Sequence, residues 1–291
     1  MRAPILALFL APALLAQAPS PAPVPPVRLK QVQLSPAASV SQTLGITTLK
    51  IDYFRPAVRG RAIWGEVVPF DAVWRAGANE ATVFTFSDPV KINGKDLPAG
   101  SYGFFVLPGK DSWTLILNRK AKQWGAYEYK AEEDALRFEV KPQASGHQEY
   151  LQYDLQVASP TRLRVDLRWE KKVAGFDVDI DVPGLYWKHL EESLAKAPAT
   201  DWVPWYQAAN YCFQQKLHPE KAMGWIDASM KAQETYRNLE LKARLLDAAG
   251  QRPQALPFLD KAIAAATAAK TPKAYLDGLE KTRQEWQPKA K

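Results

Sequence analysis

The chain has 291 residues, 47% of them hydrophobic and 24% charged, with a formal charge of +7. That composition describes an ordinary soluble globular protein long enough for two domains, and it excludes a largely disordered chain. The charge excludes nucleic acid as the expected partner, because 22 Lys/Arg stand against 19 Asp/Glu between Val27 and Leu190 and 15 against 12 from Glu191 onward. Neither half carries the basic stripe that a phosphate backbone requires.

Arg2 precedes an apolar run from Ala3 to Ala16, the pattern of a secretory signal. The run is shorter than the roughly 20 residues that cross a bilayer, and no later stretch is longer, so no transmembrane segment is expected. Ala16 and Ala18 are small enough for signal peptidase; cleavage after Ala18 would leave Pro19 next, which favours Ala16. Residues 1–18 are read as the signal peptide and 19–30, with the run PSPAPVPP, as a proline-rich linker of extended conformation. The expected location is periplasmic or secreted. The single cysteine, Cys212, excludes an intramolecular disulfide and lies far from any lipid-anchoring position; it reads as a small apolar residue in a helix core.

From residue 31 to 183 the dominant period is two, which predicts an antiparallel β-sandwich. Thr47, Leu49, Ile51 and Tyr53 alternate with polar partners, as do Trp113, Leu115 and Leu117, and Leu151, Tyr153, Leu155 and Val157. Tyr102 to Leu107 is apolar on both faces and suits a central strand. Asn93-Gly94, Pro98-Ala99-Gly100 and Pro108-Gly109-Lys110-Asp111 supply the turns. Two final strands carry Leu163, Val165, Leu167 and Trp169, then Phe176, Val178, Ile180 and Val182, inward. Their outer faces carry Arg162, Arg164, Asp166 and Arg168 on the first and Asp177, Asp179 and Asp181 on the second. Cross-strand charge pairing explains these aspartates better than calcium, which wants six to eight converging oxygens.

After Pro183-Gly184 the period becomes helical, and residues 184–291 are read as a small tetratricopeptide-like helical domain. KAMGWIDASM and QALPFLDKAI align Ala222 with Ala255, Trp225 with Phe258 and Asp227 with Asp260 at one repeat length. This resembles tetratricopeptide repeats over about residues 200–268, with Pro257 departing from the pattern as a kink. So short an array does not bury enough core to stand alone, so the helices are expected to pack on the sandwich or to receive a protein partner.

The segment FRPAVRGRAIWGEVVPFDAVWRAGANEAT, residues 54–82, gathers Arg55, Arg59, Arg61, Trp64, Trp74, Arg75, Asn79 and Glu80. It has too many polar groups for a core strand and too many aromatics for a solvated loop. With SPAASVSQTLGITTLKIDYFRPAVRGRAIWG, GKDLPAGSYGFFVLPGKDSWTLILN and QWGAYEY, it resembles the bacterial domain-of-unknown-function 2911 family over about residues 34–180. The resemblance implies an exported, mainly β domain without an established activity. Its recurring motif falls on the residues just named, with Pro56, Gly60, Gly65, Gly77 and Ala78, and in the later run on Trp124, Gly125 and Tyr127.

The binding residues expected from these motifs are therefore Arg55, Arg59, Arg61, Trp64, Trp74, Arg75, Asn79, Glu80, Trp124 and Tyr127. Guanidinium forks grip carboxylates or phosphates and tryptophan faces stack on rings, which suits a small anionic or glycan ligand. The competing reading is an internal network in which Arg75 pairs with Glu80 and Trp64 and Trp74 fill the sandwich end. A hydrolase using Glu80, with Arg55 or Arg75 stabilising charge, is the alternative of a different class, and a purely structural envelope protein is the third. His147, His189 and His218 lack partners at ligand spacing, so no metal is expected. No phosphate-binding glycine loop, dinucleotide fingerprint or nucleophile elbow occurs, and no cofactor or catalytic residue is assigned.

Overall fold

A computed structural model describes residues 32–287. The expected signal peptide and linker, and the tail from residue 288, lie outside the described residues. Two antiparallel sheets come first. The larger has the order β1-β2-β3-β6-β7-β8, built from β1 (Ala37–Leu44), β2 (Thr47–Phe54), β3 (Thr82–Phe86), β6 (Gly100–Pro108), β7 (Trp113–Asn118) and β8 (Asp134–Val140). The smaller has the order β5-β4-β10-β9, from β4 (Val90–Ile92), β5 (Lys95–Leu97), β9 (Gln143–Ser159) and β10 (Arg162–Asp179).

The sheets face each other because each strand offers one apolar face. Leu49, Ile51 and Tyr53 of β2, Phe84 and Phe86 of β3 and Phe104 and Val106 of β6 are buried against Leu151 and Tyr153 of β9 and Leu163, Val165 and Leu167 of β10. β6 is apolar on both faces, as expected, because Phe105 and Ile116 of β7 form a second, smaller core on the outer side of the larger sheet. Val73, Ala81, Ala126 and Tyr129 close it, so two loops must lie over that face.

The two expected final strands are the two arms of β10. The chain doubles back near Glu170, whose φ is +54°, so that the Ile180 amide donates to the Thr161 carbonyl at 2.9 Å. Arg162 then meets Asp179 at 2.5 Å and Arg164 meets Asp177 at 3.2 Å, the charge pairing the alternating sequence predicts. Gly175 leaves room for this pairing, since a Cβ would stand 2.1 Å from Asp166 Oδ1 and 2.3 Å from Arg164 Nη2 and would push those side-chain ends aside.

Six helices follow: α1 (Val182–Lys196), α2 (Trp202–Gln215), α3 (Pro219–Ala232), α4 (Tyr236–Ala248), α5 (Arg252–Ala268) and α6 (Lys273–Trp286). α3 and α5 repeat each other in packing as in sequence, with Ala222 and Ala255 fully buried and Ile226 and Leu259 filling equivalent core positions. α5 runs through Pro257 as one helix. α4 begins at a capping box, Thr235 accepting from the Asn238 amide and Asn238 accepting from the Thr235 amide. Helix and sandwich meet at the start of α1, where Val182 and Leu185 pack on the sandwich core. No helix among the described residues is long and apolar enough to cross a membrane.

Candidate functional site

The residues expected to form one cluster occupy three different settings. Arg55, Arg59 and Arg61 tie their loop together and to β9. Arg55 Nε donates to the Leu151 carbonyl at 2.9 Å and its Nη2 to Gln152 Oε1 at 3.4 Å. The Arg59 amide, in the left-handed region, donates to Glu149 Oε1 at 2.9 Å, and this bond is the first cause that holds the Glu149 carboxyl below its usual range. Arg61 turns back on its own loop, Nε to the Val58 carbonyl at 3.1 Å and Nη2 to the Ala57 carbonyl at 2.6 Å. The Arg55 and Arg61 guanidinium groups thus satisfy backbone carbonyls, an architectural task, and Arg59 contributes through its backbone amide.

Trp64 and Trp74 belong to the interior. Trp64 lies 4.5 Å from Trp113 and 5.9 Å from both Trp74 and Trp169 between ring centres, and Trp74 stacks on Trp169 at 5.7 Å. The Trp74 indole N–H donates to the Gly77 carbonyl at 3.2 Å. Trp113 and Trp169 complete this cluster, and only their inward register in the sequence pointed to them. Both tryptophans of the motif are thus filling the end of the sandwich, as the internal-network reading expected.

Arg75, Asn79, Glu80, Trp124 and Tyr127 come together. Trp74 pairs with Val106 of β6, and Thr82 pairs with Phe104 two residues along the same strand. Residues 75–81 are therefore an excursion out of a continuous strand line. Its neck is closed by the Thr82 amide donating to the Arg75 carbonyl at 3.2 Å. Inside the neck the Ala76 carbonyl accepts from Thr82 Oγ1 at 2.9 Å and from the Tyr153 hydroxyl at 2.8 Å. Ala76 and Asn79 both have positive φ, +52° and +55°, a conformation that Asn tolerates but that costs Ala76 about 1–2 kcal/mol. The buried Tyr153 and Thr82 hydroxyls hold that strained shape, and nothing near the motif in sequence announced Tyr153.

A second loop lies along the excursion. The Ala81 amide donates to the Gln123 carbonyl at 3.0 Å, Glu80 bridges Trp124, and the Gly125 amide donates to the Asn79 carbonyl at 3.1 Å. The second loop is anchored at its base by fully buried Asn118, whose amide group donates to the Lys130 carbonyl at 3.0 Å and to Asp134 Oδ1 at 2.9 Å. The Tyr129 hydroxyl donates to Asp134 Oδ2 at 2.7 Å. Burial, then this bond, pushes the Tyr129 phenol up to about 12.

Where the loops meet, Arg75 is half-buried and its Nε is buried without a hydrogen-bond partner. Among the described residues no ion pair reaches its guanidinium. The expected Arg75–Glu80 pair is therefore corrected: the reversals at Ala76 and Asn79 lie between the two side chains, and Glu80 is exposed with its backbone engaged to Trp124. Glu80 instead lines a shallow cleft of about 470 Å³ with Ala38, Asp52 and Phe54. Arg55, offered with Glu80 as a hydrolytic pair, is committed to β9. Trp124 and Tyr127 are 59% and 82% exposed, far beyond what large aromatics in a packed loop show. A Cβ on Gly125, at φ +65°, would stand 3.0 Å from Arg75 Nη1 and 2.9 Å from Tyr127 Cε2, so guanidinium and phenol ring converge on one glycine.

Residues 35–178 match the family described as protein of unknown function, DUF2911. The sandwich is a DUF2911 domain. The match begins just before β1 and ends within the second arm of β10, so the two loops of the candidate site lie inside the DUF2911 domain and the six helices follow it. No curated protein and no solved structure matches the chain.

Proposed function

We propose that the chain is an exported ligand-binding module of the cell envelope, with its binding face where residues 75–81 meet residues 123–127 of the DUF2911 domain. The observation that carries this reading is Arg75. A half-buried guanidinium with an unpartnered Nε is costly to keep, and strained backbone at Ala76 adds to that cost. Nε is enclosed, so it is the outer nitrogens of the guanidinium, which no ion pair reaches among the described residues, that an anionic group of a ligand would take. Exposed Trp124 and Tyr127 supply flat apolar faces on which the rest of the ligand rests. Arg55, Arg59, Arg61, Trp64 and Trp74 are not part of this face; the arginines hold their own loop and β9, and the tryptophans pack on the sandwich core. The helical repeats offer a separate surface for a protein partner.

The test is a thermal-shift screen of small anions, acidic sugars and acidic peptides on the mature protein and on Arg75→Ala. A ligand that raises the wild-type Tm and leaves the folded variant unmoved supports the reading. A ligand that shifts both equally places its site elsewhere.

A further inference from the structure

Resting on that reading, we infer that the ligand is a carboxylate-bearing sugar residue, as in an acidic polysaccharide. Three properties of the face select this class. Arg75 brings a planar fork of donors whose usual complement is a carboxylate bound through two parallel bonds. Trp124 and Tyr127 are open on the surface, and neither lines the cleft that holds Glu80. Open aromatic faces suit the flat, C–H-bearing side of a pyranose ring, whereas a peptide side chain gains most from an enclosed apolar pocket. Exposed Glu80, joined through its backbone to Trp124, adds an acceptor that repels a simple anion but takes a hydrogen bond from a sugar hydroxyl.

The roles divide accordingly. Arg75 takes the carboxylate, the two aromatic faces take the ring, and Glu80 takes a hydroxyl. Gly125 lets guanidinium and phenol ring approach one point, so an acid group borne directly on a sugar ring would meet both. A neutral sugar would leave the arginine unpaired, and a small inorganic anion would leave the aromatic faces uncovered.

Titration of the full mature chain followed by tryptophan fluorescence tests this, using oligogalacturonate, the matching neutral oligogalactose, and a polyglutamate peptide as probes. Saturable binding of oligogalacturonate is expected, weaker by about tenfold or more in Arg75→Gln and in Trp124→Ala, as loss of a charge-assisted bond or a stacking face implies. Glu80→Gln should bind within a few-fold of wild type, because the amide oxygen still accepts. Equal binding of the neutral sugar overturns the carboxylate assignment, and preferential binding of polyglutamate overturns the sugar assignment; in both cases loss of binding in Arg75→Gln leaves the binding face standing. Binding of oligogalacturonate that Arg75→Gln and Trp124→Ala do not weaken overturns inference and binding face together, and no binding of oligogalacturonate overturns the inference.

Discussion

Arg75 and Glu80 show how far single residues can be read from a sequence. Their spacing suggests an ion pair, and the suggestion fails because two left-handed residues, Ala76 and Asn79, stand between them. Neither residue type demands a positive φ, so the reversals are invisible without the Tyr153 hydroxyl that clamps Ala76 from a distant strand. Trp64 and Trp74 were open to both readings, as binding residues and as fillers of the sandwich end; they pack on Trp113 and Trp169. Gly125 is the residue on which the face is most sensitive. Gly125→Ala should cost roughly 1–2 kcal/mol for the left-handed backbone, while Arg75 Nη1 and the exposed Tyr127 ring move aside. Urea unfolding checks it, and an unchanged midpoint would mean that Gly125 is not held in the left-handed region as described.

At the scale of elements, the strands were read well because burial on one face forces alternation, and β6 betrayed its second core by being apolar on both faces. The excursion at residues 75–81 was not readable, since its neck depends on pairing to β6 and its flank on the loop after β7. That second loop should be sensitive to alkali. Tyr129 has its folded-state value raised to about 12 by burial and by Asp134, against about 10 when unfolded. A raised value for this acid means the folded state holds the proton more tightly, so the contribution is complete below about pH 10 and is lost as the pH climbs toward 12. Melting temperature followed across that window should fall more steeply in wild type than in Tyr129→Phe; parallel curves would contradict the assignment. Among the helices, Thr235→Ala removes one half of the capping box and should destabilise the chain by roughly 0.5–2 kcal/mol, read as a lower unfolding midpoint.

For the whole molecule, the change of period after Pro183 did mark the passage from strands to helices, which occurs between Asp179 of β10 and Val182 of α1. The placement of two domains at residues 31–183 and 184–291 remains our proposal, with Val182 and Leu185 as the joint. Gly45 is part of that joint, since a Cβ there would stand 2.5 Å from Val182 Cγ1. Limited proteolysis should therefore cut the chain without releasing a freely diffusing helical fragment; a released and folded fragment would show that the joint holds nothing.

The central claim is that Arg75 is kept for a ligand and not for the fold, and Arg75→Met measures it without knowing the ligand. Methionine keeps an apolar stem and removes the unpaired charge, so relief of an unsatisfied buried donor, about 1–3 kcal/mol, offsets whatever packing is lost. Urea unfolding of the ligand-free protein should show the variant as stable as wild type or more so, whereas a loss of more than about 2 kcal/mol, the size expected when a buried network is broken, would mark Arg75 as a structural residue and contradict the account.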